Sequence, residues 1–229
     1  MTGLREEARI VADALGAAEG RGIDGAEPRC EGPGPEAARS AAETLLRDGA
    51  QALLSFGLAG GCDPALPPGT AVIATGVRDL AAHETLWTNR EWRRRLQGIL
   101  LGAVLVEEAA IGSTDRAVSG AGAKETLFWS DGVACIDMES GAVARAAVAA
   151  GVPFMALRIV VDPADLDLPA AALAALQPDG TVSPAAAAAA ALRRPADVPA
   201  LLRLGSAHRR AIRALRRASA AAAPLFGAV

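Results

Sequence analysis

One stretch constrains the chain more than any other: from Val133 to Asp162 it reads strand, helix, strand. Phe154 to Val161 is almost uninterruptedly apolar and rich in branched side chains, the pattern of a parallel strand covered on both faces. Val133 to Asp137 is a shorter run of the same kind. Between them, Glu139 to Ala150 is Ala-rich and helical, closed by Gly151 and followed by Pro153. This strand, helix, strand order argues for a mostly parallel sheet with covering helices, so the fold class is α/β with a mostly parallel, mixed central sheet flanked by helices. Functional groups then belong at the carboxyl ends of the strands.

The rest of the chain extends this pattern. Ala52 to Gly57 and Thr70 to Val77 read as buried strands separated by a Gly-rich turn, Leu58-Ala59-Gly60-Gly61, and a Pro-rich link. Ile99 to Val106 is a further strand candidate. Helices are expected over Leu4 to Ala18, Glu36 to Arg47 and Pro184 to Leu192, the last with Ser183 as N-cap and Pro184 at the first helical position. A final helix from about 199 to 222 carries Leu204, Ala207, Ala211 and Leu215 on one side and arginines around the others. No strand pattern precedes Leu4, so a first strand is expected to be missing or truncated. At 229 residues one core suffices, and residues 1–229 are read as a single domain.

Composition removes several function classes. The net charge of −3 gives no case for nucleic-acid binding, although six arginines and no acid follow Leu201. Cys30, Cys62 and Cys135 are widely spaced, with no CxxC and two histidines in the chain, so neither a zinc site nor a disulfide framework is indicated. No run approaches the roughly 18 apolar residues of a membrane span, and the N-terminus lacks the pattern of a signal peptide. A cytoplasmic location is expected. The Arg-rich last helix also offers a way to rest on anionic lipid headgroups.

Three acids stand where strands give way to turns or helices: Glu7, Glu139 in Asp137-Met138-Glu139-Ser140, and Asp162 at the end of Arg158-Ile159-Val160-Val161-Asp162-Pro163. Glu139 and Asp162 are separated by one helix and one strand, which brings both to the same sheet edge. Each alone has an ordinary reading: Glu139 complements a helix dipole, Asp162 ends a strand before proline, and Glu7 is a solvated helix face. His83 and Trp87 border a loop and read as packing residues before ligand contacts. The glycines of Gly57-Leu58-Ala59-Gly60-Gly61 allow close approach to the backbone. They have neither GxGxxG spacing nor the Gly-Lys-Ser/Thr ending of a P-loop, which disfavours dinucleotide binding and nucleotide triphosphate hydrolysis.

Glu31-Gly32-Pro33-Gly34, Phe56 to Gly61, Pro67-Pro68-Gly69, Val72-Ile73-Ala74, Asp137 to Ser140 and Arg158 to Asp162 occur in one order. That ordered set resembles the nucleoside phosphorylase and methylthioadenosine/adenosylhomocysteine nucleosidase superfamily. Within it, Thr2 to Ile10, the Asp-Met-Glu-Ser form, Leu157 to Ala164, and Leu176 to Val182 followed by Arg193-Arg194-Pro195 are similar to the hopanoid-associated phosphorylase group. The resemblance implies a nucleoside phosphorylase-like fold and cleavage of a purine N-glycosidic bond. The implied substrate is adenosylhopane, a lipid-linked nucleoside that would lose adenine. General purine nucleoside phosphorolysis and methylthioadenosine/adenosylhomocysteine hydrolysis are the alternatives, and a non-catalytic adenine-binding protein is a third.

The same resemblance assigns roles. Asp162 would protonate or hydrogen-bond N7 of the departing purine, and Glu7 would orient the attacking water or the sugar end. Met138 and Glu139 would hold the sugar, Gly57 and Gly60 would line the pocket through their backbones, and Ala117 and Val118 would cover the base. No metal or organic cofactor is implied; inorganic phosphate is a candidate co-substrate, and relatives commonly pair as dimers. Leu58 stands where many relatives carry a hydroxyl residue, so the choice between water and phosphate stays open.

Overall fold

A computed structural model describes residues 1–17, 26–175, 177, 179–181 and 183–226. Ala18 of the first expected helix, and Leu176, Pro178 and Val182 of the tail motif, lie outside the described residues. The elements in order are α1 (Arg5–Gly16), α2 (Pro35–Arg47), β1 (Leu53–Gly61), β2 (Ala71–Asp79), β3 (Glu84–Trp87), α3 (Arg90–Leu100), β4 (Val106–Ser113), α4 (Ala121–Asp131), β5 (Val133–Asp137), α5 (Ser140–Ala150), β6 (Phe154–Asp162), α6 (Ala170–Ala175), α7 (Pro184–Arg193) and α8 (Val198–Ala222).

The sheet order is β3-β2-β4-β5-β1-β6, and β2 also pairs with β6. Five strands therefore close into a small barrel, with β3 appended as a hairpin arm on β2. Pairings β1–β6, β2–β4 and β4–β5 are parallel, while β1–β5, β2–β3 and β2–β6 are antiparallel. This is the mixed α/β sheet expected. Strand β6 is covered on both sides: Phe154, Ala156 and Val160 face a core shared with α2 and α5, while Met155, Leu157 and Ile159 face one shared with α1, α3 and α8. That two-sided burial is why its sequence lacks polar alternation.

Two local expectations need correction. Residues 99–106 are not a strand: Ile99 and Leu100 finish α3, Gly102 turns the chain at φ 89°, and β4 starts only at Val106. The supposed turn Leu58 to Gly61 is the second half of β1, hydrogen-bonded along β6 with a register shift between Ala59 and Gly60. His83 and Trp87 bracket the β3 arm, where Trp87 is exposed and neither residue borders the main cleft. At the open half-edge of β1, the Met1 amino group donates to the Leu54 carbonyl (2.8 Å) and Phe56 N–H donates to the Met1 carbonyl (3.0 Å).

Candidate active site

The ends of β1, β5 and β6 and the first turns of α1 and α5 converge on one cavity of about 480 Å³. Glu7, Gly60, Ala117, Val118, Met138, Glu139 and Asp162 all line it; Gly57 does not. Gly57 lies behind the wall, where a Cβ would come within 2.7 Å of Arg158 Nη1 and 2.8 Å of the Glu7 carboxylate. Its role is to make room for those two groups. A Cβ at Gly60 would sit 3.3 Å from Asp162 Oδ1, so this glycine lets the acid lie against β1.

Glu7 is placed by its helix. As the third residue of α1 it reaches back to the N-terminus, its Oε2 accepting from the N–H groups of Leu4 (2.9 Å) and Gly3 (3.0 Å), while Oε1 accepts from Leu58 N–H (2.8 Å). This is half of a capping box turned to another purpose. Burial raises its carboxyl to about 7, against the opposing pull of Arg158 and the Leu58 N–H. Such a group changes charge near neutrality, which suits a general base.

Glu139 opens α5 as its N-cap residue, and its Oε1 accepts from Gly34 N–H (2.9 Å) in the loop before α2. Asp137 Oδ1 caps the same helix through Ser140 N–H (3.0 Å) and Glu139 N–H (3.2 Å). Beneath both lies Arg158, fully buried on β6. Its Nε contacts Asp137 Oδ2 at 2.6 Å, and its Nη2 reaches Ser55 Oγ at 2.7 Å, Ser140 Oγ at 3.2 Å and Glu139 Oε2 at 3.5 Å. Nη1 has no partner among the described residues. Burial opposes the guanidinium charge, but Asp137, Glu139 and Glu7 outweigh it and hold the group more firmly protonated than usual. Glu139 itself is shifted upward by burial, with Arg158 pulling back.

At the other end of the cavity stands Asp162, only 3% exposed. Its Oδ2 is ion-paired to Lys124 Nζ, a side chain with no exposure at all. Burial pushes the Asp162 carboxyl upward and Lys124 draws it down, leaving it above the ordinary range. The sequence reading missed Lys124, quoted Arg158 without giving it a role, and did not anticipate His208, which lines the cavity from α8. The remaining wall is apolar, including Leu168, Ala172 and Leu173 around α6 and Leu201 and Leu204 on α8. Among the described residues no group of three or more His, Cys, Asp or Glu side chains is arranged to hold a metal ion, and Cys30, Cys62 and Cys135 are unpaired thiols. Among the described residues no helix is long and apolar enough to cross a membrane.

A closed mixed barrel wrapped by helices, with buried carboxyl groups at both ends of one cleft, defines a nucleoside phosphorylase-like protein. Residues 25–196 match the Phosphorylase superfamily, and the chain belongs to it. By class it is an N-glycosyl-cleaving nucleosidase or phosphorylase. Among solved structures it is similar to futalosine hydrolase of Helicobacter pylori strain 26695, at 17% identity and TM-score 0.64, covering 95% of this chain and 94% of that one. It is also similar to the Neisseria meningitidis 5'-methylthioadenosine/S-adenosylhomocysteine nucleosidase in complex with methylthio-immucillin-A, at 16% identity, 96% of each chain and TM-score 0.64. A third is the corresponding Helicobacter pylori nucleosidase, at 20% identity, 72% and 84% coverage and TM-score 0.61. No curated protein matches the chain.

Proposed function

We propose that the protein hydrolyses the N-glycosidic bond of an adenine nucleoside whose 5' substituent is apolar. The observation that carries the reading is the division of buried carboxyl groups along one cavity: Asp162 at one station, Glu7 and Glu139 at the other. A purine between Ala117, Val118 and Asp162 would present N7 to the acid. The ribose would then lie over Met138 with its hydroxyls on Glu139, and a water on Glu7 would face the anomeric carbon. As the C1'–N9 bond stretches, charge accumulates on the purine and the sugar becomes cationic; proton donation stabilises the first and nearby carboxylates the second.

Water is favoured over phosphate by the electrostatics of the second station. Glu7 already takes the Gly3, Leu4 and Leu58 N–H groups, and Glu139 takes that of Gly34, the backbone donors on which an anion would depend. Three carboxylates surround a single guanidinium there, which repels a phosphate dianion. Leu58 adds no hydroxyl.

The substrate class follows from the wall. Among the described residues no Lys or Arg lines the cavity, so the carboxylate of a homocysteinyl 5' group finds no Lys or Arg partner and meets several acids instead, whereas a methylthio or hydrocarbon group meets leucines. Methylthioadenosine fits this description, and its nucleosidases are among the similar structures. Adenosylhopane is a second reading, favoured by exposed Leu173 and Leu202 on α6 and α8, the two helices that supply the apolar wall. Incubation with methylthioadenosine, S-adenosylhomocysteine, inosine and an adenosine carrying a long 5' hydrocarbon, with and without phosphate, separates these. Phosphate-independent adenine release from the apolar-substituted nucleosides is expected. Absence of base release from all four would refute the reading.

A further inference from the structure

Among the described residues Lys124 is the most deeply buried cation outside the Arg158 cluster, and glycosidic cleavage by Asp162 and Glu7 leaves it without a task. It sits in the first turn of α4, and its ammonium makes three contacts: Asp162 Oδ2, the Leu166 carbonyl (2.9 Å) and the Pro163 carbonyl (3.2 Å). An ammonium has three hydrogens and all are used. Around it, Ala121 N–H donates to Asp167 Oδ1 (2.7 Å) and Leu168 N–H donates to the Ser119 carbonyl (2.7 Å). The segment after β6 is thereby stitched to the segment that carries Ala117 and Val118. Asp162 Oδ1, by contrast, accepts from no other residue among those described, while Asp162 borders the cavity.

We propose that Lys124 is a positioning residue for base departure: it ties down Oδ2, leaves Oδ1 as the oxygen that meets the purine, and stabilises the carboxylate created when the proton leaves. The inference rests on the proposed glycosidic cleavage. In the step, the O–H bond at Asp162 Oδ1 breaks and an N–H bond forms at N7. The C1'–N9 electron pair passes into the purine ring, and the base leaves neutral. The negative charge left on Asp162 faces the Lys124 ammonium in a site with almost no solvent, where an uncompensated carboxylate is costly.

Two substrates isolate this effect. 5'-Methylthioadenosine needs a proton on its base, whereas its N7-methyl derivative is already cationic and its base leaves neutral without one. Lys124→Met is expected to lower kcat on 5'-methylthioadenosine on the order of 30- to 100-fold, within the range ascribed to general acid catalysis. KM should stay within about threefold and turnover of the N7-methyl derivative within about threefold, both small against that effect. The alkaline limb of kcat/KM should move to higher pH, because a carboxyl without its cationic neighbour holds its proton longer. Should the Met variant not fold, Lys124→Gln keeps a donor for the Pro163 and Leu166 carbonyls and carries the same expectations. Equal losses on both substrates with an unmoved alkaline limb would mean that Lys124 only braces α4, and the proposal fails. No base release by the unaltered protein from either substrate would instead overturn the glycosidase reading itself.

Discussion

Replacing Arg158 by Met is the sharpest perturbation of the site's framework. The side chain stays unbranched but becomes apolar, is shorter by the guanidinium group and loses its charge, so the 2.6 Å contact with Asp137, the 2.7 Å bond to Ser55 and the 3.5 Å contact with Glu139 all disappear. Asp137 keeps the Ser140 and Glu139 N–H groups and Glu139 keeps that of Gly34, but their charges stay buried without a cation. Breaking a buried ion pair by removing one partner costs about 3 to 5 kcal/mol. For a chain of this size 1 kcal/mol corresponds to about 2 to 4 °C, so the melting temperature should fall by about 6 to 20 °C. The deficit depends on pH in a definite sense. Glu139 is already shifted upward and rises further without Arg158, so the folded variant holds a proton that the unfolded chain has released. Its stability falls as pH rises through that window. Thermal melts of both proteins at pH 5 and pH 8 should therefore show a larger gap at pH 8. A loss below about 2 °C, or a gap independent of pH, would refute the assignment of Arg158 as the charge that holds this cluster.

Glu7 gives a second pH signature. Its carboxyl titrates at about 7 in the fold and at 4.5 ordinarily, so the folded state binds the extra proton between those values and stability declines as pH rises from about 4.5 to 7. The difference amounts to about 3 kcal/mol at 1.36 kcal/mol per unit, and urea titrations across that range should lose this component in Glu7→Gln. With Glu7 as base, the acidic limb of kcat/KM should rise through about pH 7 in the unaltered protein and vanish with activity in the same variant. Gly57→Ala forces a methyl against Arg158 and Glu7, and should destabilise by about 1 to 3 kcal/mol while cutting turnover at least tenfold; near-normal activity would show that the glycine is dispensable.

The fold was most legible where one signal sufficed. Strand β6 has a core on each face, and α5 ends in Gly151 at φ 69°, so hydrophobic continuity and a glycine cap found both. Around residue 100 the same reasoning misled, because the apolar end of α3, a turn and the start of β4 form one hydrophobic run with no period of its own. The glycines of β1 read as a turn since backbone propensity argues that way; their cause is tertiary, removing side chains where Arg158, Glu7 and Asp162 must fit. Glu139 and Asp162 are expected at one edge of a mostly parallel sheet; β5 and β6 in fact run antiparallel to each other, and the two acids share the cavity because short β5 pairs with the end of β1 beside Asp162. Lys124 could not be placed: it lies 38 residues from Asp162, and a lone Lys in a helical stretch looks like solvated surface until the fold brings the two together.

The central claim is that Asp162 faces a bound purine within this cavity. A crystal structure of the protein with adenine tests it most directly. The base is expected between Ala117, Val118 and Asp162, with N7 about 3 Å from Oδ1 and Lys124 still on Oδ2. Adenine bound elsewhere, or in the cavity with N7 turned away from Asp162, would contradict it.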